Sequence, residues 1–247
     1  MIHPLAVSIV LALTGADATG FDVGDTVIVI RETNLKNDAG KDLTIWPGAQ
    51  VTLEAIDGDR LEVRNGVVGW LKIKDVVPWK DAIDVLTERI KASPGNASLL
   101  RGRGLVWCEI KGYYEGAIDD FDAAIRLDPS AASFAGRARS WRGLKKYDNA
   151  LIDHDEAIRL DPNNATYFDG RGTTWYSIFQ YENKAYFESD RSIELDKAIA
   201  DFGEAIRLDS ANSSYYKHRA EVWTSKGEHC NAIDDYSEAI RRDPTND

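Results

Sequence analysis

The sequence has few of the residues that build disulfide frameworks, metal sites or nucleic-acid surfaces. Its 247 residues include two cysteines and four histidines, and 30 lysines and arginines stand against 41 acidic residues. Two cysteines as far apart as Cys108 and Cys230 build no disulfide network, so we expect free thiols. No histidines lie at metal-ligand spacing, so we expect no metal. The net charge of -11 argues against a nucleic-acid partner, because phosphate contacts need clustered basic side chains.

Motifs of the common enzyme classes are absent as well. The sequence contains no G-x-x-x-x-G-K-[ST] phosphate loop, no G-x-S-x-G elbow and no strand followed by G-x-G-x-x-G. Acidic residues are numerous, but they recur with the repeat described below. This recurrence indicates a structural role in each repeat and not a single catalytic site. We therefore expect no catalytic residues, no cofactor and no enzyme activity.

The longest apolar run, residues 4–13, is too short to span a bilayer, which takes about 20 residues. It fits the core of a secretory signal, and Ala16-Asp17-Ala18 has small residues two apart, as signal peptidase prefers. We therefore predict a signal peptide at residues 1–18, export to the periplasm or the cell exterior, and no membrane span. The alternative is a buried N-terminal strand or helix, because Met1-Ile2-His3 contains no lysine or arginine.

Residues 21–78 have the alternation of short β-strands. Residues 23–30 and 50–56 alternate β-branched residues with others, and Asp57-Gly58-Asp59 and Asn65-Gly66 are turn signals. Together with Gly69-Trp70-Leu71 and Val76-Val77-Pro78, the pattern resembles bacterial SH3-like barrels. The resemblance implies a small barrel that binds cell-wall peptides or other proteins. Trp70 is expected to be either a core residue or a platform for a ligand.

Two patterns alternate through the rest of the chain. The first reads Arg, a small residue, any two residues, Trp, and it begins at Arg103, Arg137, Arg171 and Arg219. The second reads Ala-x3-aromatic-x2-Ala-x4-Pro, with departures, and it begins at Ala117, Ala150, Ala198 and Ala232. Residues three and four apart share one face of a helix. Each unit is therefore predicted to be a pair of helices packed through these faces.

Several side chains are given structural roles by this packing. The tryptophans are expected to pack between the two helices of each unit. His154 takes an aromatic position of the second pattern, so we expect a packed histidine with its ring hydrogen bonds satisfied. The arginines are expected to pair with acids of the second helix, namely Arg103 with Asp120, Arg137 with Asp153, Arg171 with Asp201, and Arg219 with Asp235.

The two patterns and their 34-residue period resemble the tetratricopeptide repeat (TPR) over residues 79–247, about two-thirds of the chain. We predict a half-repeat helix at residues 79–95 and four units in residues 96–247, the third with a 14-residue insertion. The predicted fold class is therefore α+β, with an SH3-like β-barrel followed by an all-α TPR solenoid. Since no polar capping helix follows the final unit, we expect its last helix to have an uncovered face.

The TPR resemblance implies a non-enzymatic scaffold or adaptor that receives a peptide or helix of a partner protein in a groove lined by the first helices. Candidate groove residues are Arg101, Leu105, Arg139, Arg142, Thr173, Tyr176, Lys217 and Glu221, some of which are alternatively plain solvated positions. The insertion is expected to form a longer helical hairpin whose aromatic tip contacts a partner protein. The alternative is that its aromatics pack against each other or against the adjacent repeat. These aromatics are Phe179, Tyr181, Tyr186 and Phe187. The alternative function is a cell-envelope module whose barrel binds cell-wall peptide.

Overall fold

A computed structural model describes residues 26–29, 33–36, 42–45, 50–57, 60–64, 68–72, 76–109, 113–181 and 192–243. The chain divides into two compact units, residues 2–129 and residues 130–247. The predicted signal peptide, residues 1–18, lies outside the described residues.

Short antiparallel strands form the beginning of the first unit. They are β1 (Thr26–Val29), β2 (Thr33–Lys36), β3 (Asp42–Ile45), β4 (Gln50–Asp57), β5 (Arg60–Arg64), β6 (Val68–Lys72) and β7 (Val76–Pro78). Five of them pair in the order β6-β5-β4-β1-β7, and β2 pairs with β3 in a separate ribbon. The turn signal Asp57-Gly58-Asp59 lies between β4 and β5, which pair through Asp57 and Arg60.

The predicted SH3-like barrel is not found, and the predicted fold class is wrong in this respect. In the described strands, β6 and β7 stand at opposite ends of the sheet order, and no pairing joins them. A barrel requires the two edge strands to close on each other, so the described strands do not form a closed barrel. From Trp79 onward every described regular element is helical, and the fold that the structure supports is a helical solenoid. The side chain of Trp70 is not among those that the structure describes, so its role stays a prediction.

Nine α-helices follow in the described part of the chain, after a 3-10 turn at Trp79–Asp81. They are α1 (Ala82–Ala92), α2 (Ala97–Glu109), α3 (Tyr114–Leu127), α4 (Ala131–Gly143), α5 (Tyr147–Leu160), α6 (Ala165–Tyr181), α7 (Ser192–Leu208), α8 (Ser213–Lys226) and α9 (His229–Arg242). Helix α1 packs on α2, and the other eight form the pairs α2/α3, α4/α5, α6/α7 and α8/α9. The predicted helical pairs are therefore confirmed.

Asparagines mark the start of three first helices. The Oδ1 atoms of Asn96, Asn164 and Asn212 accept hydrogen bonds from backbone N–H groups two residues later, at the starts of α2, α6 and α8. An asparagine in this position satisfies N–H groups that have no partner inside the helix. At its other end α8 stops at Gly227, whose φ of 82° suits glycine. Local sequence therefore sets these helix boundaries.

Each pair of helices is held by alanines and one large ring. The second helices bury their two pattern alanines, and Phe121 of α3 and Phe202 of α7 are almost entirely buried. A Cβ placed on Gly104 would lie 3.1 Å from Phe121 Cζ, and one on Gly172 would lie 3.0 Å from Phe202 Cε1. The small residue of the first helix thus makes room for the ring of the second, as the pattern predicts.

The four predicted arginine–aspartate pairs are confirmed. In every pair the guanidinium Nε and Nη2 atoms donate to the two carboxylate oxygens over 2.6–2.9 Å. Such two-point contact matches the planar geometry of both groups. The hydrogen bonds that Arg171 donates to Asp201 outweigh the effect of burial and raise the pKa of Arg171 above its ordinary value. These arginines therefore join the helices of a pair and are committed to the fold.

The four pattern tryptophans are half-buried, so the prediction that they pack between helices is only partly right. Trp107 stacks on Tyr113 with ring centroids 4.7 Å apart. A lysine ammonium lies over the other three rings, at 5.0 Å for Trp141, 4.0 Å for Trp175 and 5.6 Å for Trp223. In each of these three tryptophans, a lysine ammonium therefore lies over one face of the ring.

Replacing Trp141 with alanine should lower the free energy of unfolding by about 2 kcal/mol. A fully buried tryptophan costs about 3–5 kcal/mol when truncated, and Trp141 is only half-buried. Urea unfolding of the full chain measures the loss. A loss of the full core magnitude would place Trp141 among the core residues instead.

The third repeat, formed by α6 and α7, has longer helices than the second repeat, formed by α4 and α5. Helices α6 and α7 have 17 residues each, whereas α4 has 13 and α5 has 14. The prediction that the insertion lengthens both helices is confirmed for the described residues. Residues 182–191, which include the predicted tip residues Tyr186 and Phe187, lie outside them.

Helix α9 has the uncovered face that the sequence predicts. Ile233 and Ile240 are 63% and 61% exposed, whereas Ile118, at the position of Ile233 in the first pattern copy, is buried. The two isoleucines lie seven residues apart and therefore share one face of the helix. Cys108 is buried and Cys230 is exposed, and no disulfide joins them in the described residues.

Candidate partner-binding surface

The first helices of the second unit form one layer. Helix α4 contacts α6, and α6 contacts α8, while each also packs on the second helix of its own pair. The layer carries six of the predicted groove residues: Arg139, Arg142, Thr173, Tyr176, Lys217 and Glu221. All six are half-buried, and within each helix the two are three or four residues apart, on one face. We call these six residues the first-helix surface.

The two predicted groove residues of the first unit are in a different situation. Arg101 is buried, and its Nη2 donates to Ser98 Oγ over 3.2 Å. Leu105 packs with Trp107 against the core residues around Phe121. Because both side chains are occupied in packing α2, neither is included in the first-helix surface.

Two side-chain hydrogen bonds join α6 to α8. The Tyr176 hydroxyl shares a hydrogen bond with Ser225 Oγ over 2.8 Å, and Asp169 Oδ1 lies 2.6 Å from His218 Nδ1. Neither contact follows from the repeat pattern. A clue to the second was present, because His218 stands where the other three first helices have Gly102, Gly136 and Gly170. The two bonds hold neighbouring first helices together and give the layer a defined shape.

The Thr173 and Ser177 hydroxyl groups of α6 form hydrogen bonds within their own helix. Thr173 Oγ1 donates to the carbonyl of Asp169, and Ser177 Oγ donates to the carbonyl of Thr173, both over 2.8 Å. Such bonds to the preceding turn leave the hydroxyl hydrogen committed. The charged side chains of the first-helix surface lie on α4 and α8.

The charge of the first-helix surface differs from that of the chain. It carries three cations, Arg139, Arg142 and Lys217, against one anion, Glu221, whereas the whole chain has a net charge of -11. The nearby Asp169 is almost fully buried and hydrogen-bonded to His218. Burial, with the charge of Asp169 as a smaller cause, raises the pKa of Tyr215 to about 12, so this phenol is neutral at physiological pH.

His154 differs from the satisfied histidine that the sequence predicts. It is buried in the aromatic position of α5, but neither Nδ1 nor Nε2 has a hydrogen-bond partner. Burial, helped by the positive charges of Arg142 and Arg171, lowers the pKa of His154 well below its ordinary value. The histidine was correctly placed from the repeat, but its missing partners depend on neighbours that the pattern does not specify.

The described aromatics of the insertion have unequal surroundings. Phe179 stacks on Tyr176 with centroids 6.2 Å apart and packs against the core residues around Leu195. Tyr181 is exposed, and Lys145 Nζ lies 5.0 Å from its ring centroid. Phe179 therefore serves the fold, and Tyr181 offers an open ring at the end of α6.

In the described ranges, no group of three or more histidine, cysteine, aspartate or glutamate side chains could hold a metal ion. None of the helices described here combines the length and the apolarity needed to cross a membrane.

Comparison with known proteins agrees with this architecture. The sequence model of the tetratricopeptide-repeat family matches residues 111–165 and 194–247. Neither range includes the strands. No curated protein matches the sequence.

Solved structures of low sequence identity share the fold. TTC0263, a TPR protein of Thermus thermophilus, is 18% identical, with a TM-score of 0.56 over 68% of this chain and 84% of its own. MamA (residues 41 to the end) of Desulfovibrio magneticus RS-1 is 19% identical, with a TM-score of 0.54 over 68% of this chain and 88% of its own. Residues 111–165 and 194–247 therefore match tetratricopeptide repeats, and the helical part of the chain shares its fold with these solved structures.

Proposed function

We propose that this protein is a non-enzymatic scaffold that binds a peptide or a helix of a partner protein on the first-helix surface. The main support for this proposal is the layer of α4, α6 and α8, which presents side chains on one face. The arginine–aspartate pairs, in contrast, join the helices inside the fold. Helical repeats of this kind commonly present such a layer to extended or helical ligands. The cell-wall alternative depended on the barrel, so no second function is proposed.

The partner segment is acidic. Arg139 and Arg142 on α4 and Lys217 on α8 outnumber Glu221, and they do so on a strongly acidic chain. Opposite charges across an interface speed association and select the partner. The exposed ring of Tyr181 at the end of α6 supplies a further contact beyond the charged part of the surface.

A peptide library displayed on phage tests this proposal. Peptides selected on the full chain should be enriched in aspartate and glutamate, and their affinity should fall as salt is raised, because salt screens exposed charges. The double variant Arg139→Glu/Arg142→Glu should weaken binding at least about tenfold by fluorescence anisotropy, and Tyr181→Ala should weaken it less.

The matched control reverses an arginine on a second helix. Arg207 of α7 is exposed and pairs with Glu204, so Arg207→Glu changes the net charge without touching the first-helix surface. Equal losses for Arg207→Glu and for Arg139→Glu alone would show that net charge, not this surface, governs binding. Selection of peptides with no acidic bias would contradict the proposed partner chemistry.

A further inference from the structure

The strongest unused feature of the molecule is the buried imidazole of His154. It is 4% exposed, and both ring nitrogens lack a hydrogen-bond partner. The equivalent positions of α3 and α7 hold Phe121 and Phe202, whose rings need no partner. His154 thus occupies a position that holds an apolar ring in the other two helices. Its neutral imidazole carries one N–H group and one nitrogen that can take up a proton.

The ring is pressed against the next first helix. A Cβ on Gly170 of α6 would lie 2.5 Å from His154 Cε1, so only a glycine fits there. Because the backbone of α6 closes this side, the ring has little room to turn toward another partner. Both ring nitrogens are buried in the folded chain.

The charged groups around the ring are already engaged or positive. Arg142 of α4 and Arg171 of α6 both oppose a positive charge on His154. Asp169 of α6 favours it, but this carboxylate is hydrogen-bonded to His218. On α5 itself, Asp153 is bonded to Arg137 and Asp155 to Arg171. No acceptor is bonded to either ring nitrogen, so an imidazolium is not accommodated in this packing.

We propose that His154 makes the second unit acid-sensitive, so that acidification below about pH 6 loosens the contact between α5 and α6 and alters the first-helix surface that α4 and α6 carry. The effect on partner binding rests on the proposed function. The loosening itself is a property of the chain alone and is measured without a partner.

The direction of the effect follows from proton binding. An exposed histidine of the unfolded chain has a pKa of about 6.5, and burial holds the pKa of the folded His154 below that value. Below about pH 6.5 the unfolded chain therefore binds one proton more than the folded chain. The stabilisation is complete above that pH and is lost as the pH falls, with the unfolding constant rising up to about tenfold per pH unit.

The test compares urea unfolding of the full chain at pH 7.5 and pH 5.5, above the range in which ordinary carboxylates titrate. In the wild type we expect the unfolding constant to rise about tenfold between the two values. His154→Phe, which installs the residue of the equivalent positions, should remove most of this change. His229→Gln, at an exposed histidine of α9, should leave it as in the wild type. An equal pH response in all three proteins overturns the proposal.

Two further measurements keep the test decisive if His154→Phe folds poorly. In the wild type, the protection factors for hydrogen exchange, corrected for the intrinsic rate at each pH, should fall between pH 7.5 and pH 5.5 in α5 and α6 more than in α8. The chemical shift of the His154 Cε1 proton should stay constant in the folded protein down to about pH 5.5. A change in the chemical shift of that proton with a midpoint near pH 6.5 contradicts the proposal. Acid-induced loosening without a change in peptide affinity would leave the switch standing and count against the proposed binding surface.

Discussion

Replacing Asp120 with alanine should lower the free energy of unfolding by about 3–5 kcal/mol. The change leaves the Arg103 guanidinium, whose side chain is only 21% exposed, with Thr87 Oγ1 as its remaining described partner. Removing one member of a buried ion pair is costly because the other charge stays out of water without compensation. Urea unfolding at neutral pH, followed by circular dichroism, measures the loss.

Two variants control this result. Asp201→Ala should cost less, because Arg171 keeps a 2.7 Å contact with Asp155. The double variant Arg103→Met/Asp120→Leu should recover most of the loss, because apolar residues of similar size can replace a buried pair. If Asp120→Ala costs less than about 1 kcal/mol, the pair behaves like a surface salt bridge, and its assignment to the core of the repeat is wrong.

Truncating Phe202 to alanine should cost about 3–5 kcal/mol as well, by a different mechanism. The ring is 1% exposed and packs with Leu195, Ala198 and Val222. Its loss opens a cavity where α6, α7 and α8 meet, and the surrounding helices close such a cavity only in part. Thermal and urea unfolding should both report the change.

The matched control removes apolar atoms from the uncovered face of α9. Ile233→Ala should change the free energy of unfolding by no more than about 0.5 kcal/mol, since exposed side chains contribute little. Because repeats share interfaces with their neighbours, hydrogen exchange in Phe202→Ala should rise in α6 and α8 as well as in α7. A loss confined to α7, or a cost equal to that of Ile233→Ala, would contradict the packing described.

The helical half of the fold was predictable because its information is local and repeated. Small residues and rings recur at helical spacing, so the contact of Gly104 with Phe121 and that of Gly172 with Phe202 follow from one pattern. The pairing of Arg171 with Asp201 was predictable for the same reason, although 30 residues separate the two. Once two helices pack through known faces, residues at fixed offsets must meet.

Features that depend on a single copy of the repeat escaped prediction. The hydrogen bond between Asp169 and His218 requires one particular acid and one particular histidine in consecutive first helices, which a repeat pattern averages away. The orphaned nitrogens of His154 depend on every group around the ring. Three of the half-buried tryptophan rings are contacted by Lys146, Lys197 and Lys226, and the reach of a lysine toward a ring is not encoded in helix periodicity.

The amino-acid order by itself determined the helices, their pairing and the four arginine–aspartate contacts, since these depend on spacing along the chain and on the shape of individual side chains. It also placed the first-helix surface on α4, α6 and α8. Only the tertiary structure decided that the described strands do not close into a barrel, that Arg101 is buried, and that the ring nitrogens of His154 have no hydrogen-bond partner. The physical reason is that strand closure, burial and hydrogen-bond satisfaction are set by neighbours distant in sequence, which no local period records.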